Sequence, residues 1–292
     1  MEISPWDIAI IISKLMIYIG ISGAVGGIFI YWLVIKRGYP FNLRRHCQLL
    51  LLLGVFGTIL NFFMQVGAFA EAGLSGVFDA FYNSLLWQSN AGESLLYRLA
   101  GFILALISVS KGIATGQYRR IFLVTFILSA LLLVRSFSVI GHTAEMNLAW
   151  QLLLNLHVLL VFCWLGSLWP LWKACGALSA PVLHDVMQQF GYYASYIVSL
   201  LILCGLMVAY QLFGSIASLF FTSYGQSFLL KLALVMGILL IAAQHKFNLV
   251  AKLIKNEQGK QALARSIQWE MILALGILLT TTWLTTVVGP DY

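Results

Sequence analysis

Residues 141–170 read GHTAEMNLAWQLLLNLHVLLVFCWLGSLWP. A polar mouth, Gly141 to Asn147, leads into an apolar run long enough to cross a bilayer, which takes about 20 residues. Two of the five histidines fall here, His142 in the mouth and His157 inside the run. Polar side chains in hydrocarbon are costly to keep, so within a membrane span they are functional candidates first.

The rest of the chain extends this pattern. Of its 292 residues, 61% are hydrophobic and 9% charged, and the mean hydropathy is +0.93. Such a composition excludes a soluble domain and predicts an all-α polytopic membrane protein. Eight apolar runs recur, at about 7–35, 46–70, 94–112, 120–138, 148–172, 190–213, 226–248 and 267–288. Breakers separate them: Gly38 to Pro40, Ala72-Gly73, Gly112 to Gly116, Pro181, Gly214, Gly259 and Gly289-Pro290. The runs are too long for barrel strands and do not alternate. The first run, with Glu2 and Asp7 and no basic leader, does not read as a cleaved signal peptide.

Charge placement predicts orientation. Lys36, Arg37, Arg44 and Arg45, then Lys111, Arg119 and Arg120, then Lys173, then Lys246, Lys252, Lys255, Lys260 and Arg265 all fall in alternate loops. Glu2, Asp7, Glu71, Asp79, Glu93, Glu145 and Asp291 fall on the other side. The positive-inside rule then puts both termini away from the cytoplasm. The net charge of +7 belongs to these loops and does not indicate nucleic-acid binding. Residues 71–92 carry aromatic and aliphatic residues at near-helical spacing and read as an interfacial helix on the outer leaflet, with a functional lid as the other reading. Cys47, Cys163, Cys175 and Cys204 form no CxxC pair, so neither disulfides nor a cysteine metal cluster is expected.

Two passages match at a shift of 133 residues, Ala91 to Ala100 with Tyr224 to Ala233, which brings Arg98 onto Lys231. Lys14 to Gly23 and His157 to Gly166 share a second spacing. These matches suggest two parallel four-helix halves, 1–138 and 139–292, related by an axis along the membrane normal. Four basic residues, Lys14, Arg98, Arg135 and Lys231, lie inside the outer ends of spans. They either snorkel to headgroups or serve a site. They would repel an entering cation unless Glu93, Glu145 or an anionic ligand neutralises them.

His157 sits about 13 Å into its span at ~1.5 Å per residue and needs a partner helix, a metal or a wet cavity. Trp164 lies two turns down the same face. His142 and Met146 share a face if the fourth span continues helically that far, with Glu145 beside them. Imidazole and thioether suit copper, above all Cu(I), and a carboxylate suits an oxidised or entering ion. Met64 and Gln65 are further candidates. His46 and His184 read as solvated. His245 and Glu270, near the inner end, read as a relay or as partners of Lys246 or a neighbouring lysine.

On Gly141-His142, Leu156-His157, Trp164-Leu165-Gly166 with Pro170, Tyr224-Gly225 to Lys231-Leu232, Gln244-His245-Lys246, and Arg265-Ser266-Ile267 with Glu270, the chain resembles the CopD family of bacterial inner-membrane copper proteins. The resemblance covers residues 138–290 and implies eight spans in the inner membrane; the termini that charge placement puts away from the cytoplasm would then be periplasmic. It implies copper resistance or uptake, with His142 and His157 as candidate copper ligands. A periplasmic CopC-like copper carrier is the implied partner and is expected to be a separate chain. Members often have a histidine nine residues before the first-span glycine, where this chain has Lys14. The leading expectation is transport of copper, as Cu(I) or Cu(II), from periplasm towards cytoplasm, with no nucleotide-binding motif to drive it. A cytochrome b-like electron carrier or copper reductase, holding haem with its propionates on the outer basic residues, is the alternative. A structural subunit with no metal of its own is a third.

Overall fold

The computed structural model describes residues 3–34, 43–115, 119–212, 216–250, 253 and 258–289. Lys36, Arg37, Lys252, Lys255, Glu2 and Asp291, and the breakers Gly38 to Pro40, Gly116, Gly214 and Pro290, lie outside them. The described residues contain no strand. The eight spans are α1 (Pro5–Val34), α2 (Leu43–Ala70), α4 (Asn90–Thr115), α5 (Arg119–Ser138), α6 (Leu148–Ala177), α7 (Ala180–Leu212), α9 (Ser223–Gln244) and α10 (Gln258–Trp283). Helices are what hydrocarbon allows, because each backbone N–H and C=O finds its partner within the segment. The protein is therefore a multi-pass membrane protein.

Several helices outrun the apolar stretches. α7 begins at Ala180 and α10 at Gln258, each some nine residues before its apolar run. Hydropathy marks only the hydrocarbon-facing part, whereas the backbone ladder continues through polar residues at the interface. Short α8 (Ile216–Phe221) precedes α9, whose first turn is capped by Thr222, with its hydroxyl accepting from the Gly225 N–H at 2.9 Å. Residues 71–92 fold as a 3-10 turn (Gly73–Phe78) and α3 (Ala80–Trp87), capped by Asp79. They pack on the ends of α2 and α4 through Val77 and Leu86, while Leu74, Phe78 and Phe81 stay exposed.

α6 is the hub. It packs against α1, α5, α7 and α10. It meets α1 backbone to backbone: a methyl group added to Gly166 would collide with the Ser22 carbonyl, and one on Gly26 with the Gly166 backbone. Pro170 also lacks the N–H that would bond the Gly166 carbonyl within the helix. α1 and α2 approach as closely, since a Cβ on Gly20 would lie 2.7 Å from the Gly54 Cα. Without a hydrophobic drive between helices in lipid, such close contact is what holds them. The other side is looser: α7 meets the bundle chiefly through α6, and α9 chiefly through α10.

Two π-helical turns punctuate the C-terminal half, His245–Leu249 after α9 and Leu284–Val288 after α10. Each inserts an extra residue into a turn, a device frequent at functional sites.

Gly166→Ala should lower stability by about 1–3 kcal/mol through overpacking, and Gly166→Leu by more. Chemical unfolding in detergent micelles measures this, and wild-type stability in both variants would contradict so close a crossing.

Candidate functional site

α5 ends at Ser138, and Gly141, with φ +64, turns the chain into a 3-10 turn, Gly141–Glu145, that carries His142. The side chain of His142 lies outside the described residues. Because the fourth span does not continue helically, the shared face expected for His142 and Met146 is not formed; a 3-10 turn aligns i with i+3. Met146, half-buried, closes the turn in extended conformation, and Glu145 is exposed.

Arg135 fixes this mouth. Its Nη1 donates to Ser138 Oγ at 3.0 Å and to Gln151 Oε1, and Gln151 Nε2 donates to the Met146 carbonyl at 2.9 Å and the Ala144 carbonyl at 3.2 Å. One guanidinium thus ties α5, the turn and α6 together, so its role here is in holding the loop.

His157 faces the other way. Gly166, nine residues on, is half a turn round the helix at 100° per residue, so the imidazole points away from α1. It lies against Gly205 of α7: a Cβ there would be 3.1 Å from its Cε1. The ring lies near the Leu201 backbone and within electrostatic range of Lys231 on α9. Nδ1 is buried with no partner. A buried ring nitrogen left open is the feature a ligand would complete. Cys204, buried, is the residue before Gly205, and the sequence reading had set it aside. Trp164 is buried in the core.

Where α9 ends beside α10, His245 Nδ1 lies 3.2 Å from Glu270 Oε1, and both side chains are buried. This pairing brings the two inner candidates together. Lys246 is engaged elsewhere, donating to Ser195 Oγ on α7 at 2.7 Å. His245 Nε2 is buried and open.

The basic residues within the spans separate by role. Lys14 Nζ donates to the Thr285 carbonyl at 2.9 Å and to Thr286 Oγ1 at 2.9 Å, anchoring α1 to the π-turn after α10. Arg98, 7% exposed, donates from Nε to Ser136 Oγ at 3.2 Å and lies over Phe137, 5.4 Å from the ring centroid. Neither forms an ion pair with Glu93 or Glu145; among the described residues the ion pairs are His184–Asp185 and His245–Glu270.

His46 is not solvated as its flanking charges implied. It stacks on Trp169 of α6, ring centroids 3.8 Å apart and 7° from parallel. His184 is mostly covered and lies 3.5 Å from Asp185. Gln65 Nε2 donates to Asn61 Oδ1 and Asn61 Nδ2 to Ser13 Oγ, both at 2.9 Å, so its amide serves a ladder between α2 and α1. Met64 is half-buried. Among the described residues no three of His, Cys, Asp and Glu are grouped to hold a metal ion.

The comparisons point one way. The family model described as copper resistance protein D matches residues 184–284. The copper transport protein CutJ of Bacillus subtilis (strain 168) is 23% identical over 297 residues, covering 95% of this chain and 52% of CutJ. The chain thus spans about half the length of the curated relative it matches. No solved structure matches. Over α7 to α10, the resemblance read from the sequence is borne out: residues 184–284 carry the pattern of the copper resistance protein D family.

Proposed function

We propose that this protein moves copper across the membrane, from the periplasmic side towards the cytoplasm, with His157 as a ligand on the way. Copper handling in general rests on the family match and on the similarity to a copper transport protein. The observation that carries the site is the open, buried Nδ1 of His157 at the contact of α6 with α7, within electrostatic range of Lys231. Imidazole is a good ligand for copper in either oxidation state. A neighbouring ammonium weakens cation binding, which suits a site that must release its ion as well as take it. His142, Glu145 and Met146 would receive the ion at the mouth, from a CopC-like carrier, in an inner membrane that the termini leave on the periplasmic face.

The inner pair His245–Glu270 would be the next station. Lys231, within electrostatic range of His157, precedes His245 by 14 residues of α9, about 21 Å at ~1.5 Å per residue. Passage between the two therefore needs an intermediate position or a conformational step. The close contact of Gly166 with α1 beside Gly23, its counterpart in the internal match, supports the reading as two four-helix halves, 1–138 and 139–292.

In cells expressing the protein, His157→Ala should bring copper accumulation down to the level of cells lacking it, at unchanged protein abundance; undiminished accumulation would refute the assignment. For the inner pair, His245→Ala alone should cost about 1–3 kcal/mol by stranding buried Glu270. His245→Leu with Glu270→Leu should cost less than the sum of the single changes. A double-mutant cycle of unfolding free energies tests this, and additivity would mean the two groups are uncoupled.

A further inference from the structure

Between α2, α3 and α4 lies a pocket of about 470 Å³, within the range of about 300–1,000 Å³ that small-molecule sites occupy. Phe62 and Leu95 line it and are buried; Ile59, Ser84 and Trp87 line it and are exposed, so they mark its mouth. Close-packed interiors hold few voids larger than a water molecule. This one does not suit water, which needs roughly two to four polar partners. Apart from the Trp87 indole, Asn83 and Ser84 are the polar side chains that line it, and both are engaged locally. Asn83 Nδ2 donates to the Val77 and Asp79 carbonyls at 3.2 and 2.8 Å, and Ser84 Oγ accepts from Gln88 Nε2 at 3.1 Å.

The mouth opens onto lipid. Leu49, Leu52, Phe56 and Ile59 recur at helical spacing along α2 and all are exposed, as are Ile103 and Ile107 along α4. In a membrane-spanning chain such apolar faces meet hydrocarbon, and at Ile59 that face turns inward against α3. α3 itself exposes Phe81, Leu85 and Trp87. Tryptophan is favoured at the level where hydrocarbon gives way to headgroups. A partner helix does not fit the pocket: at about 10–12 Å across, it would fill such a volume with about one turn. A single hydrocarbon chain is slender enough to lie along it.

We propose that this pocket binds one acyl chain of a diacyl phospholipid drawn from the surrounding bilayer. The chain enters between Ile59 and Trp87, lies on Phe62 and Leu95, and leaves its headgroup beside α3. A convex helix face touches a passing lipid on one side only, whereas three helices around one chain multiply its dispersion contacts. The bound chain fills the space that side chains leave against α3 and so ties α3 to α2 and α4. This assignment does not depend on copper transport.

The test uses the full-length protein, stripped of lipid in detergent micelles, and a phosphatidylcholine with a photoactivatable diazirine in one acyl chain. Adducts are mapped by mass spectrometry as this lipid is titrated in. Labelling at Phe62, Phe63 and Leu95 should saturate near one lipid per chain, while labelling at Leu49 and Leu52 rises in proportion to lipid. Ser84→Trp, at an exposed position in the mouth, and Leu99→Trp, on the pocket wall, should each raise the half-saturating concentration about tenfold or more. Neither should change labelling at Leu49 and Leu52. The wild-type titration and Ser84→Trp stand whether or not Leu99→Trp folds. Pocket labelling that is absent, or that follows the same unsaturated course as Leu49 and Leu52, would overturn the proposal. So would undiminished saturable labelling in both variants. Cross-linking of two chains through Ser84→Cys, with no lipid adduct in the pocket, would also overturn it by making the occupant a second copy.

Discussion

The closeness of α1 to α6 governs the architecture. Two helices whose backbones touch at Gly26 and Gly166 leave no room between them for side chains at that level. Polar groups near this level are therefore displaced to either side of the crossing. On one side they meet α4, α5 and the end of α10, where Arg98, Tyr18 and Lys14 gather. On the other they meet α7 and α9, where His157 and Lys231 lie. The crossing thus separates two groups of residues of different chemistry.

Hydrocarbon makes each compartment account for its polar atoms. Arg135 does so through Gln151, Lys14 through a π-turn, and Asn61 through Ser13 and Gln65. Against that background the unmet groups stand out: Nδ1 of His157 and Nε2 of His245. Their openness distinguishes them from histidines and cations that merely tie helices together. Asn155 Oδ1, also buried without a partner, sits on the α6 face that carries Phe162, two turns away.

The eight spans were legible because length and apolarity alone specify a membrane helix, and His157 and Arg98 were legible because charge and imidazole are rare there. What escaped the sequence depends on which helices become neighbours. His46 looked solvated among its flanking charges, yet α2 delivers it onto Trp169. Arg135 read as snorkelling or serving a site, and only the folded chain shows that Gln151 of α6 reaches it. Tyr18, Thr285 and Thr286 carry no charge or metal preference to mark them, and only the approach of α1 to α10 assigns them a role. The π-turns have no signature in composition. His245 and Glu270 could be matched only loosely, since a lysine was as good a partner until α9 and α10 were placed side by side.

The length of α7 has a consequence for the environment. Its 33 residues extend about 50 Å at ~1.5 Å each, against a hydrocarbon core of about 30 Å. A helix so much longer than the membrane tilts or protrudes, and α7 has few neighbours besides α6 to hold its angle. Gly205, against which the His157 ring rests, rides on that helix. A tilt of α7 in response to bilayer thickness is therefore expected to bear on the contact of the imidazole with the helix that covers it.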